Sequence, residues 1–317
     1  MQSKIQDFAR IGVVTYTAYP ALLTGGVTMA QVVDEIGADE YFDAVDVTWI
    51  NDPQARTKAI DAARNSTLSA LFAAQPYLLA RKLNLSSSDN AVRSQAVKVC
   101  KDAVDQAVAW DARAFSVLSG PDPGPDVRPA ATQALLRSLS ELCAYAVEKE
   151  GLTVLLETYD RKPIGRNQLI GPTTEAVELA RQVRARHDNF GLLLNLAHLP
   201  LLEEASPFSL ETARDYLLAV RLGNCVLKDP THPAFGNQRP PLGIPEGEIG
   251  QAQLEEFLRE LFRIGFLGAG KVRLGELSFD VAPLAGQHSA DVINQAKEML
   301  DAALAVVRPP APPEPTT

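Results

Sequence analysis

The residues that can carry chemistry stand at the ends of short apolar runs. Glu157 closes one such run in LLETYD. Asn195 and His198 close another in LLLNLAH, three residues apart. Arg221 and Asn224 lie in RLGN, followed by Lys228, Asp229 and His232, and Glu276 lies in RLGELSF. Tyr16, Asp46, Trp49, Gln75, Ser119 and Gly120 end or follow earlier runs. Carboxylates and imidazoles transfer protons or hold metals, and a guanidinium binds oxyanions through a planar fork. An unpaired carboxylate enclosed by strands is strongly disfavoured, so Glu157 and Glu276 are read as working groups rather than idle ones. Trp49 can fill core or pack on a sugar ring. Asp46 is an alternative inward residue. Lys228 is either a cation for substrate or one half of a weak local pair with Asp229. His187 and His288 lie in polar stretches and are expected at the surface.

The runs that must position these residues fall at 11–16, 44–49, 67–74, 114–118, 152–156, 190–194, 220–227 and 272–277. Between them, 94–110, 130–149, 174–186 and 251–264 repeat apolar residues at intervals of three and four, the period of an amphipathic helix. Eight β runs alternating with helices point to parallel βα units. The first run leads into Tyr16, Thr17, Ala18 and Tyr19, which cannot cradle a phosphate as an open dinucleotide-binding sheet would require. The glycines of 268–270 precede a β run and read as a plain turn. The expected fold is α/β, a single-domain (β/α)₈ TIM barrel over 1–308, with the proline-rich 309–317 as a disordered tail. In such a barrel the active site gathers at the C-terminal ends of the strands.

Composition narrows the function classes. The chain has 317 residues, 46% hydrophobic and 22% charged, which is globular composition and excludes disordered, collagenous and coiled-coil classes. A net charge of −9 without a long basic run argues against nucleic acid or an anionic membrane as partner. The 3 cysteines, Cys100, Cys143 and Cys225, form no CxxC pair, which excludes a disulfide framework and a thiolate zinc site. With no apolar leader and no membrane-length run, the expected location is cytoplasmic.

The ordered strand-end set resembles the xylose isomerase-like TIM-barrel superfamily, in its sugar phosphate isomerase/epimerase branch. That branch includes tagatose-type 3-epimerases, hydroxypyruvate isomerases and inosose dehydratases. The resemblance rests on Glu157, the Asn195-x-x-His198 box, Arg221 before a long loop, and Glu276. The segment LGIPEGEIG, then LEEFLRELFRIGF, before the last run adds to it. It implies a divalent metal (Mn, Mg or Zn) that polarises a carbonyl, and two glutamates, here Glu157 and Glu276, that move protons on opposite faces of the substrate. Proton removal beside a carbonyl needs positive charge near the oxygens and a placed base.

Two ligand positions depart from that pattern. Asn195 stands where the resemblance calls for Asp, and Arg221 where it calls for a strand-seven ligand; a shifted register would put Val226 there instead. Neither Arg nor Val ligates metals. The formal charge is nonetheless conserved, because Arg221 replaces the positive charge of the ion while one acidic ligand is lost. The expectation is therefore no cofactor, with Glu157, Asn195 and Glu276 as the residues left to hold a metal if one binds. The implied activity is a sugar or polyol isomerase or epimerase with catalytic Glu157 and Glu276, and with Tyr16, Trp49, Asn195, His198, Arg221, Asn224 and Lys228 on the substrate. The alternatives are a dehydratase or lyase on a keto-sugar or keto-glycoside, and an inactive barrel that binds. An endonuclease IV-like nuclease would want more histidines and a basic face. The implied partner is a small carbohydrate or polyol, and the resemblance extends to a homo-oligomer.

Overall fold

A computed structural model describes residues 4–149, 151–268 and 275–307. The tail over 309–317 and part of the run expected at 272–277 lie outside the described residues. Eight parallel strands close into a barrel in sequence order: β1 (Ala9–Val14), β2 (Ala44–Thr48), β3 (Ser69–Ala73), β4 (Ala114–Val117), β5 (Thr153–Glu157), β6 (Phe190–Asn195), β7 (Leu217–Gly223) and β8 (Gly275–Asp280). Helices fill the crossovers, the longest being Asn90–Ala109, Arg128–Glu148 and Ser289–Val307. Several begin where the sequence supplies a cap: Asp52 accepts from Ala55 N–H at 2.6 Å, with Pro53 at the first helical position. No helix among the described residues is long and apolar enough to cross a membrane.

Strand alternation divides the interior into two apolar bodies. Val45, Phe72, Phe115, Leu156, Leu194, Val220 and Phe279 face the helices and join the large outer core. The opposite parity gives a small inner cluster of Leu71, Ala114, Leu155, Leu193 and Ala219. Above that plug, two residues further along three of those strands, the same inward parity delivers Glu157, Asn195 and Arg221. The register holds them level: Asn195 pairs with Arg221, and Arg221 with Ser278. Gly12 has a specific steric role. A Cβ there would stand 2.8 Å from Ser278 Oγ, so a side chain would displace that hydroxyl.

Three strands differ from the sequence expectation: β1 lies two residues before the run at 11–16, β7 ends at Gly223 instead of 227, and β8 is displaced in the other direction. β8 begins at Gly275 and runs to Asp280, so Glu276 is near its start, not its end. Glu276 pairs with Arg10 near the start of β1, whereas Asp280 pairs with Gly223 at the end of β7.

Candidate functional site

At the C-terminal mouth the buried guanidinium of Arg221 forms the hub. Its Nε and Nη2 donate to Asp46 Oδ2 at 3.0 and 2.7 Å, and its Nη1 donates to Glu157 Oε2 at 2.8 Å. Ser278 Oγ donates to the other Asp46 oxygen at 2.6 Å. Burial holds the Asp46 carboxyl above its ordinary value, against the Arg221 charge and the Ser278 hydroxyl, which lower it. Glu157, fully buried, also accepts from Gln75 Nε2 at 2.8 Å and Asn195 Nδ2 at 3.3 Å. Gln75 is itself aimed by Ser116, whose hydroxyl donates to Gln75 Oε1 at 3.1 Å.

Asn195 links this hub to a second one. Its Oδ1 accepts the Ala197 N–H at 3.1 Å as the cap of the turn Leu196–His198. The amide orientation is thereby fixed, and Nδ2 faces the carboxylates, donating to Asp280 Oδ2 at 2.6 Å as well as to Glu157. Asp280 also accepts from Arg239 Nε at 2.6 Å. Burial works against its ionised form, but Arg239 and Arg221 outweigh it and bring its carboxyl down to about 2. Arg239 reaches this position from the loop after β7 with a left-handed backbone, φ 59°.

His198 completes the layer. Arg239 Nη2 lies 3.1 Å from its Nε2, and a guanidinium can only donate, so Nε2 is the unprotonated nitrogen of the neutral ring. Nδ1 then carries the proton beside Asp160 Oδ2 at 3.5 Å, and Asn237 Nδ2, 3.2 Å from the same nitrogen, donates to that carboxylate oxygen at 2.9 Å. Burial, followed by the Arg239 charge, pushes the imidazole down and keeps it neutral near pH 7. Burial raises Asp160, but His198 and the N–H groups of Arg166 and Lys162 hold it below the usual carboxylate range. The Tyr159 ring packs on His198 with centroids 4.5 Å apart.

Tyr16 looks into the hub from the end of β1. Its ring centroid is 5.9 Å from the Arg221 guanidinium carbon. Its hydroxyl is buried and has no hydrogen-bond partner among the described residues. Burial pushes the phenol well above its ordinary value, so it stays a proton donor. At the rim, Trp49 is half-buried, donates from Nε1 to Asn51 at 2.8 Å, and stacks on Tyr77 with centroids 4.6 Å apart. Arg81 lies over the Tyr77 ring at 4.4 Å.

The structure thus brings Glu157, Asn195, His198, Arg221 and Tyr16 together. Trp49 stands at the rim, and Glu276, Asn224 and Lys228 are engaged elsewhere. Glu276 fails on position: it lines a cavity of about 790 Å³ at the N-terminal end of the barrel, with Arg10, Arg113 and Arg214. Burial and then the Asp46 charge push its carboxyl up to about 8, against Arg113, Arg221 and Arg10. Asn224 fails on bonding. Its amide donates to Pro241 O at 2.8 Å and accepts the N–H groups of Cys225 and Ile249, so it staples the loop after β7. Lys228 is exposed and pairs with Glu248 at 3.1 Å, a surface contact. Asp160, Asn237, Arg239 and Asp280 belong to the site without having been singled out. The signal for Asp280 was the continuing alternation of Glu276, Ser278 and Asp280 beyond the expected strand end.

A profile for the xylose isomerase-like TIM barrel matches residues 32–303. The chain belongs to this family. Among solved structures it is similar to a D-tagatose 3-epimerase-like protein, with 18% identity, TM-score 0.69 and coverage of 94% of this chain and 98% of that one. A D-psicose 3-epimerase with D-tagatose from Clostridium cellulolyticum H10 shows 16% identity, TM-score 0.64 and coverage of 94% and 98%. An AP endonuclease of family 2 from Brucella melitensis shows 18% identity, TM-score 0.65 and coverage of 94% and 97%. At these identities the likeness is one of fold. A search of curated proteins found no match.

The divalent ion that the family resemblance implies does not fit the donors present. The Asn195 oxygen is engaged with a backbone N–H, its amide N–H faces the carboxylates, and a guanidinium binds both Asp46 and Glu157. An ion held about 4 Å from that guanidinium would meet a repulsion on the order of 8 kcal/mol at an effective dielectric of about 20. Among the described residues no three His, Cys, Asp or Glu side chains form a metal-holding group.

Proposed function

We propose that this chain is a sugar or polyol isomerase or epimerase that moves a proton next to a carbonyl at the C-terminal mouth. The observation that carries the reading is the contact of Glu157 with Arg221, a base beside a permanent positive charge at the end of β5. Glu157 takes the proton from the carbon next to the carbonyl. The resulting enediolate oxygen is met by the Arg221 guanidinium and by the Tyr16 hydroxyl, which has a free hydrogen bond to give. Glu157 then returns the proton to the former carbonyl carbon while the hydroxyl proton on the adjacent carbon passes to the former carbonyl oxygen, which isomerises the sugar with no change of mass. Asp280 stands across Asn195 from Glu157, and Arg239 holds it ionised. It is therefore a weak acid–base partner, and the arrangement favours isomerisation by a single shuttle on Glu157 over epimerisation, which needs proton transfer on opposite faces. The names carried by similar folds, D-tagatose 3-epimerase-like and D-psicose 3-epimerase, support a monosaccharide as substrate.

The test is incubation of the protein with a panel of ketoses and aldoses in deuterated water. Deuterium gained at the carbon beside the carbonyl, in a product of otherwise unchanged mass, is the expected result, and Glu157→Gln should abolish it. Loss of water from the product identifies a lyase instead. A second reading, a barrel that binds without turnover, is favoured by the 3 side-chain hydrogen-bond donors that already engage Glu157. Sugar-induced thermal stabilisation with no label exchange would establish that reading.

A further inference from the structure

We infer that the Arg221 guanidinium, braced by Asp46, is the resident cation of this mouth and keeps divalent metal out of it. Four features of the geometry converge on this. Arg221 occupies one oxygen of Asp46 and one of Glu157, and Ser278 holds the second oxygen of Asp46. Arg239 and the Asn195 amide share Asp280 Oδ2. Asn195 presents N–H rather than oxygen, because its Oδ1 caps the following turn. His198 turns its unprotonated nitrogen to Arg239, so the one nitrogen that could ligate a metal already faces a positive charge. Each carboxylate of this set is thus met by hydrogen-bond donors, and the cations among them, Arg221 and Arg239, belong to the chain itself.

Asp46 is the part of this device that fixes the guanidinium. It lies across the barrel from Arg221, on β2, and is fully buried. Ser278 reaches it through the space that Gly12 leaves. Asp46 therefore orients the guanidinium so that only Nη1 is presented to Glu157. It acts as a positioning residue for Arg221.

The inference concerns charge and coordination, so its test reads metal content rather than turnover. A failure here leaves the proton-transfer reading standing, and the reverse. The full chain is expressed in medium supplemented with Mn²⁺, and its metal content is measured by inductively coupled plasma mass spectrometry. Mn²⁺ titration is then followed by electron paramagnetic resonance. The wild type is expected to hold far less than one equivalent and to leave the free Mn²⁺ signal unchanged. Arg221→His combined with Asn195→Asp removes the guanidinium and restores an acidic oxygen, and is expected to bind close to one equivalent. Circular dichroism and thermal melting check the fold. If the double variant is unfolded, adding Asp46→Asn removes the anion left without a partner, and this triple variant is titrated instead. One equivalent of metal in the wild type, lost in Glu157→Gln, would overturn the inference. So would a folded multiple variant that binds no Mn²⁺.

Discussion

Glu276 and Asp280 occupy the same inward face of β8, four residues apart, yet they belong to opposite ends of the barrel. Asp280 meets Asn195 and Arg239 at the C-terminal mouth, and Glu276 opens on the N-terminal cavity. At about 3.3 Å per residue the two positions are separated by roughly 13 Å of strand. Ser278 lies between them, bound to Asp46. One strand therefore carries an acid held near 2 by arginines and an acid raised to about 8 by burial.

Glu276 should matter to stability and not to turnover. Its folded-state value of about 8 lies above that of an unfolded glutamate, so the native state binds the extra proton. Its contribution is fully present below about pH 4 and is lost as pH rises through about 8. Chemical denaturation across this window should show stability falling, by roughly 2–4 kcal/mol once solvent access to the cavity is allowed for. Glu276→Gln should flatten that fall and keep wild-type activity. An unchanged pH profile in the variant would refute the assignment.

Glu157→Gln should lower turnover roughly 100- to 10,000-fold, because the amide cannot accept the proton. Glutamine can still accept from Arg221, so the fold should persist. Single-turnover kinetics with circular dichroism on the same sample would separate lost chemistry from lost structure.

Arg221→Met should destabilise the protein by about 3–5 kcal/mol, since Asp46 is then buried without its cation. Adding Asp46→Asn should recover part of that loss. Urea titration of the two single variants and the pair gives the coupling directly, and additive effects would mean that the contact carries little energy.

Tyr16→Phe removes a hydroxyl with no partner among the described residues, so stability should stay within about 1 kcal/mol of wild type or rise. If the phenol serves the substrate oxygen, kcat/KM should drop about 10- to 100-fold. A variant with wild-type kinetics would remove Tyr16 from the site.

The barrel was legible because its signal is repeated. β2 and β6 each fall within one residue of the run that announces them, since Val45, Val47, Leu192 and Leu194 must face the helices. Glu157 and Asn195 were legible because each ends a strand, whereas Arg221 was read near the start of a run at 220–227 and lies near the end of β7. β8 was misplaced because the apolar residues of 272–274 extend the pattern backwards, while Ser278 and Asp280 interrupt it where the strand continues. Arg239 and Asp160 gave no periodic signal. They lie on loops, and tertiary folding alone brings them to His198. Asn224 misled for the opposite reason: a polar residue just past a strand end can serve a backbone turn as readily as a ligand.

The Asp46–Arg221 pair also constrains the order of assembly. The partners are 175 residues apart in sequence, and Ser278 is 232 residues from the same carboxylate. A first half-barrel, β1 to β4, would enclose Asp46 without its cation. A second, β5 to β8, would hold Arg221 and Glu157 without the brace. The second half pairs Arg221 with Glu157, but the first cannot bury its own charge, so the polar layer is complete only when both edges meet and the ring closes. Contacts of such long range are slow to make, because loop closure precedes their reward. The charged hub that serves the mouth thereby also distinguishes a completed ring from a half-built one.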